Sequence, residues 1–219
     1  ACFIIGSLLP ALLFGVAVGN IYAGIPMDAN GDYIGVPLLG LVTPFTLLTG
    51  LLGLSAFILQ GASWLMLKAP LDSPVRTRAR GAAKVAGIAA LVLFALVSVY
   101  GHFVIAPELT GVQTILGIVL AVVIVLAMVF CIAKAQSDGS DLAGFIASSA
   151  VCVLLVALWA VSMFPNLVVA GAGDPITLFG SPASGENITI ATAASSNLTL
   201  TWMLGITCVG LPLVLIYHF

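Results

Sequence analysis

Long apolar runs separated by short polar interruptions dominate this chain. They cover roughly residues 2–23, 38–67, 82–105, 113–133, 142–165 and 198–219. Each approaches or exceeds the ~20 residues that carry a helix across ~30 Å of hydrocarbon. Lipid offers no partner to backbone polar groups, so runs of this length predict helices, whose hydrogen bonds are internal. The fold class read from the pattern is all-α, a polytopic transmembrane helical bundle forming one integral membrane domain over residues 1–219. A helix over 38–67 would be about 45 Å long and would have to tilt or protrude. The polar stretch 166–197, rich in Gly, Ser, Thr, Pro and Asn, predicts a long irregular loop packed across the mouth of the bundle.

Within the first run, GSLLPALLFGVAVGNIYAGIP (6–26), small residues recur at Ser7, Ala11, Gly15, Gly19 and Ala23. Gly15-Val-Ala-Val-Gly19 is a GxxxG motif. The hydrophobic effect does not drive helices together in lipid, so close backbone approach and dispersion must do so, and small residues permit that approach. The row predicts a packing seam with a right-handed crossing, its partner helix undetermined. Weaker versions recur at Ala83/Gly87 and Ala143/Ala147.

Composition agrees with the pattern. Charged residues make up 6 % of the chain and apolar residues 62 %, whereas a soluble domain carries about 25 % charged residues. The net charge of −2 argues against nucleic acid as a partner. Lys68, Arg76, Arg78, Arg80 and Lys84 flank the second loop and Lys134 sits in the fourth, while the first, third and fifth loops hold no Lys or Arg. The positive-inside rule makes the basic side cytoplasmic, and with it the C-terminus. Asp28, Asp32, Glu108, Asp174 and Glu186 fall on the outer side. The chain opens inside an apolar run, without Met or a basic signal-peptide n-region, so it is expected to be incomplete.

Candidate chemistry is sparse. Cys2, Cys131, Cys152 and Cys208 all lie in spans without CxxC spacing and are expected to be buried apolar residues. The two histidines, His102 and His218, fall near opposite membrane faces, so one haem cannot take both as axial ligands. Intramembrane carboxylates tend to mark ion pathways, yet no acid sits in mid-span. Asp72, Asp138 and Asp141 read as solvated inner-end residues. Thr43, Thr46, Thr49, Ser55, Gln60 and Ser63 suit interhelical hydrogen bonds, and Trp64, Trp159 and Trp202 suit interfacial anchors. Walker A, GxSxG and dinucleotide fingerprints are missing. Asn187 and Asn197 head glycosylation sequons of a kind common by chance. The residues alone assign no catalytic, cofactor-binding or metal site.

Five stretches in order resemble one family, subunit II of the cytochrome bd-type quinol oxidases. They are LLPALLFGVAVGNIYAGIP (8–26), LVTPFTLLTGLLGLSAFILQGASWLMLK (41–68), VRTRARGAAKVA (75–86), MFPNLV (163–168) and ASSNLTLTWML (194–204). Ala191-Thr192 departs from the family's usual Trp followed by Asp or Asn in the closing motif.

The resemblance implies a nine-helix subunit of which these six spans match the C-terminal six. It implies a bacterial or archaeal cytoplasmic membrane and a haem-free scaffold for subunit I. That partner would carry two b-type haems, one d-type haem and the quinol site. Membrane lipid, quinone and a small accessory subunit are further implied partners. The implied reaction oxidises quinol and reduces dioxygen to water, generating a proton-motive force. Two rival readings are a membrane transporter half, suggested by the Gly-rich helices, and a structural subunit of another respiratory complex.

Overall fold

The computed structural model describes residues 2–70, 72–105, 111–136, 141–171 and 185–218. Glu108, Asp138, Asp174 and the middle of the 166–197 loop lie outside them. Among the described residues there are seven α-helices, six of them long and apolar enough to cross a membrane. The all-α class expected from the pattern is therefore the class observed.

Helix α1 spans Cys2–Ala23 and α2 spans Pro44–Lys68. The long second helix expected from residue 38 does not form. Residues 39–41 make a single 3-10 turn, and the helix starts where Thr43 caps it. The Thr43 and Thr46 side chains form a reciprocal capping box, with Thr46 N–H donating to Thr43 Oγ1 at 3.2 Å and Thr43 N–H to Thr46 Oγ1 at 2.8 Å. Pro44 occupies the first turn, where its missing N–H costs nothing.

Helix α3, Pro74–Tyr100, begins eight residues before the run read from hydropathy, because Ser73 and Pro74 start it ahead of Arg76, Arg78 and Arg80. A π turn over Gly101–Ile105 extends its far end. Helices α4, Gly111–Gln136, and α5, Asp141–Met163, follow. Short strands β1, Asn166–Val168, and β2, Ile188–Thr189, pair antiparallel, with Asn166 opposite Thr189 and Val168 opposite Ile188. The four-residue α6, Ile190–Ala193, leads to α7, Asn197–His218.

Helices α2 to α5 share one core, in which Leu59, Ile124, Met128 and Val151 are almost fully enclosed. Alanine fills the α3 side of it: Ala79, Ala83, Ala86 and Ala90 recur at helical spacing and bring α3 close to its neighbours. Helix α1 lies against α2, outside this core.

Contacts between helix ends set the directions. The start of α3 meets the start of α5 through Arg76 and Asp141. The start of α4 reaches the end of α5, where Gln113 Nε2 donates to the carbonyls of Val161 and Phe164. One end of the bundle therefore gathers Lys68, Arg76, Arg78, Arg80 and Lys134. The opposite end carries the 24–43 loop and the β1–β2 pair, joined by Ile25 N–H to the Val169 carbonyl at 2.9 Å and Gly185 N–H to the Met27 carbonyl at 2.9 Å.

Candidate functional site

The GxxxG seam predicted in α1 faces α2 of the same chain. A Cβ on Gly15 would fall 2.8 Å from the Cα of Gly50 and 2.8 Å from the Thr49 carbonyl oxygen. In return, a Cβ on Gly50 would lie 2.8 Å from Val16 Cγ2 and 3.0 Å from the Leu12 carbonyl oxygen. Gly19 sits against the Thr49 side chain, and Gly53 extends the contact beyond Gly15. The α2 backbone thus occupies the space a side chain on Gly15 would need, and Val16 with the Leu12 carbonyl occupies that of Gly50.

Buried Asn20 closes the seam. Its Nδ2 donates to the carbonyls of Val16, at 2.9 Å, and Leu41, at 2.7 Å, joining α1 to the loop before α2. Beyond it the rings of Tyr22 and Phe45 stack at 5.8 Å, and Tyr100 of α3 meets Phe45 at 5.7 Å. The polar break at Gly19-Asn20 is therefore a clasp inside the chain.

The polar span residues divide between local and interhelical roles. Thr49 Oγ1 and Ser55 Oγ donate to carbonyls of their own helix. Gln60 Nε2 crosses to Ser149 Oγ of α5 at 2.8 Å, whose hydroxyl donates on to the Phe145 carbonyl.

The charged residues hold the main surprise. Asp141, read as a solvated inner-end acid, pairs with Arg76 of α3, and both side chains are 10 % exposed. The helical spacing of Arg76, Ala79, Ala83 and Ala86 places Arg76 on the buried stripe of α3. Beginning that span at residue 82 hides the register. Nothing along the chain marks Asp141 as its partner, 65 residues away.

Outside the spans, Asp28 holds a tight turn. Its Oδ1 accepts from the N–H groups of Asp32 and Asn30, each at 2.9 Å, and its Oδ2 from Asn30 Nδ2 at 3.2 Å. The Asp32 bond, ahead of the others, holds the Asp28 carboxyl below its ordinary value of 3.8.

The remaining candidates scatter. Cys131 is buried and Cys152 half-buried, but Cys2 and Cys208 are exposed, correcting the expectation that all four are buried. They stand on faces of α1 and α7 that no other described helix covers. Trp64 lies one turn before Lys68, whose Nζ sits 5.0 Å over its ring, and Trp202 is exposed in the second turn of α7.

His102 is exposed on the π turn, edge-on to Phe103 at 5.1 Å. His218 is the last residue of α7. Among the described residues no three His, Cys, Asp or Glu side chains converge to hold a metal ion.

The least covered element is α7. Trp202, Met203, Leu204, Ile206 and Val209 are all exposed, and none of its 18-residue apolar window is buried within the chain. Gly205 and Gly210 have open space where a Cβ would stand. Every other span has a partner here.

These features define a class, a multi-pass α-helical membrane protein whose built chemistry is helix packing. The sequence profile described as cytochrome bd terminal oxidase subunit II matches residues 1–219, and the chain belongs to that family. The cytochrome bd-I ubiquinol oxidase subunit 2 of Escherichia coli strain K12 is 27 % identical over 245 residues, an alignment covering 97 % of this chain and 61 % of the relative. A probable cytochrome oxidase subunit 2 from Haemophilus influenzae is 37 % identical over 99 residues, 43 % of this chain and 25 % of the relative. The chain spans about three-fifths of the length of the Escherichia coli relative.

Proposed function

We propose that this chain is the haem-free subunit II of a cytochrome bd-type terminal oxidase and scaffolds a haem-bearing subunit I. The family match over residues 1–219 carries the reading. Helix α7, whose apolar window no described residue buries, leaves a face that a second subunit or lipid can cover.

In the proposed complex, quinol is oxidised to quinone and the electrons, with protons drawn from the cytoplasm, reduce dioxygen to water. Two b-type haems, one d-type haem and the quinol site belong to subunit I. This chain is one integral membrane domain and supplies no catalytic, cofactor-binding or metal-ligating residue. Its basic end, with Arg78 and Lys84, faces the cytoplasm, as does the C-terminus. Lipid and quinone tails fill the grooves between its outward faces.

The test is purification of the native complex through this subunit, followed by a reduced-minus-oxidised spectrum. A chlorin-type haem band, with haem retained on the partner when the subunits are separated, is the expected result. A colourless complex, or haem in stoichiometric amount on this chain alone, would overturn the proposal.

A further inference from the structure

Between the Asp28 turn and the Thr43 cap runs Tyr-Ile-Gly-Val-Pro-Leu-Leu-Gly-Leu-Val, residues 33–42. It holds no charged residue, and apart from half-buried Leu41 its large apolar side chains are exposed. Leu38 is 80 % exposed, Leu39 57 % and Val42 46 %. Leu38 also has φ 62° and ψ −56°, a backbone conformation that side-chain-bearing residues rarely adopt. The fold thus holds its most exposed leucine outward on a strained backbone.

The backbone supplies a second, independent observation. The N–H of Leu39 donates to the Pro37 carbonyl at 2.7 Å, Gly40 to Val36 at 3.0 Å, Leu41 to Leu38 at 3.2 Å and Val42 to Leu39 at 3.2 Å. Tyr33 Oη–H donates to the Val36 carbonyl at 3.0 Å. The Leu41 carbonyl, in turn, accepts from Asn20 Nδ2 and Thr46 Oγ1. These bonds pair the N–H groups of residues 39–42, next to the span, and hydrocarbon penalises each unpaired group.

Position supplies the third. The segment ends two residues before Pro44, the first residue of a membrane span, so the bilayer boundary is at hand. Asp28 and Asp32 are held at the far end of the loop, in their own turn.

We propose that residues 33–42 dock into the boundary between headgroups and hydrocarbon of the bilayer, with Leu38 and Leu39 as anchors. The proposal rests on the reading that the long helices cross the membrane. Lipid is favoured over a protein partner because the segment runs directly into a membrane span. Contact with acyl chains needs only apolar area.

The test is nitroxide labelling of Leu38→Cys in the full subunit, freed of its native cysteines, within the native complex. The complex is reconstituted in phosphatidylethanolamine–phosphatidylglycerol vesicles without quinol. Collision with dissolved oxygen, which concentrates in lipid, is compared with collision with a water-soluble nickel chelate. The oxygen-to-nickel ratio at residue 38 should exceed severalfold that of a label at Ala29→Cys in the Asp28 turn. Because Leu38 has unusual dihedrals, Leu39→Cys provides the second site. Nickel accessibility at both sites would put the segment in water, and shielding from both reagents would put it under a protein partner. Either result overturns the proposal. A label at Val119→Cys, in mid-α4, separates this failure from that of the underlying reading, since only a non-spanning α4 would expose residue 119 to nickel.

Discussion

Gly15 of α1 lies against the backbone of Gly50 of α2, whose Cα fills the volume that a side chain on Gly15 would claim. The contact joins two helices of one chain, so α1 is held by its own neighbour.

Gly15→Leu and Gly50→Leu are therefore expected to separate α1 from α2. The methyl group of Gly15→Ala alone meets backbone, which cannot swing away as a flexible side chain would. Overpacking costs about 1–3 kcal/mol, and the leucine variants should exceed the alanine one. Thermal stability of the detergent-purified subunit is the readout. Gly61 of α2 has open space at its Cβ position, so Gly61→Ala should hold or raise stability. Equal loss at Gly61 and Gly15 would show that glycine matters to these helices for some reason other than packing.

The Arg76–Asp141 pair predicts strong coupling. Removing one member leaves a buried charge unpaired, at a cost of about 3–5 kcal/mol. Asp141→Asn and Arg76→Gln should each lower the unfolding temperature sharply, and the double variant should lose far less than the sum. Additive losses in that double-mutant cycle would mean that the two side chains do not act as a pair.

Asn20→Leu should loosen the loop rather than the bundle. It removes two hydrogen bonds in a buried place, worth about 0.5–1.5 kcal/mol each, while Thr46 Oγ1 still serves the Leu41 carbonyl at 3.0 Å. Hydrogen exchange across residues 36–43 should quicken while the α4–α5 core stays protected. An unchanged loop would assign its order to Thr43 and Thr46 alone.

The Asp28 turn predicts a pH response at its own site. The folded carboxyl titrates below its ordinary value of 3.8, so it stabilises the turn at every pH above its unfolded pKa. That stabilisation fades as pH falls through the lower folded value. Protection factors for the Asn30 and Asp32 amides should stay level from neutral pH to about pH 5 and fall below about pH 4. Asp28→Ala should abolish the response, and a midpoint near neutrality would assign it to another group.

Much of the architecture was legible along the chain because lipid imposes it locally. A run of ~20 apolar residues must become a helix wherever its neighbours lie. Hydropathy averaging misplaced the start of α2, although Thr43-Pro44 spelled a helix start, because Leu38–Leu41 are as apolar as the span itself. It also hid Arg76 by treating basic residues as loop, when the alanine stripe carries the α3 register back to Pro74.

By itself the sequence determined six apolar helices, the gathering of basic residues at one end of the bundle, and a small-residue row in α1 suited to close packing. Only the tertiary structure decided that this row meets Gly50, that Arg76 finds Asp141, and that α7 lies uncovered. The physical reason is range. Helix formation in lipid depends on backbone groups four residues apart, whereas a seam, an ion pair or a bare face depends on which helix lies alongside. That choice belongs to the whole bundle.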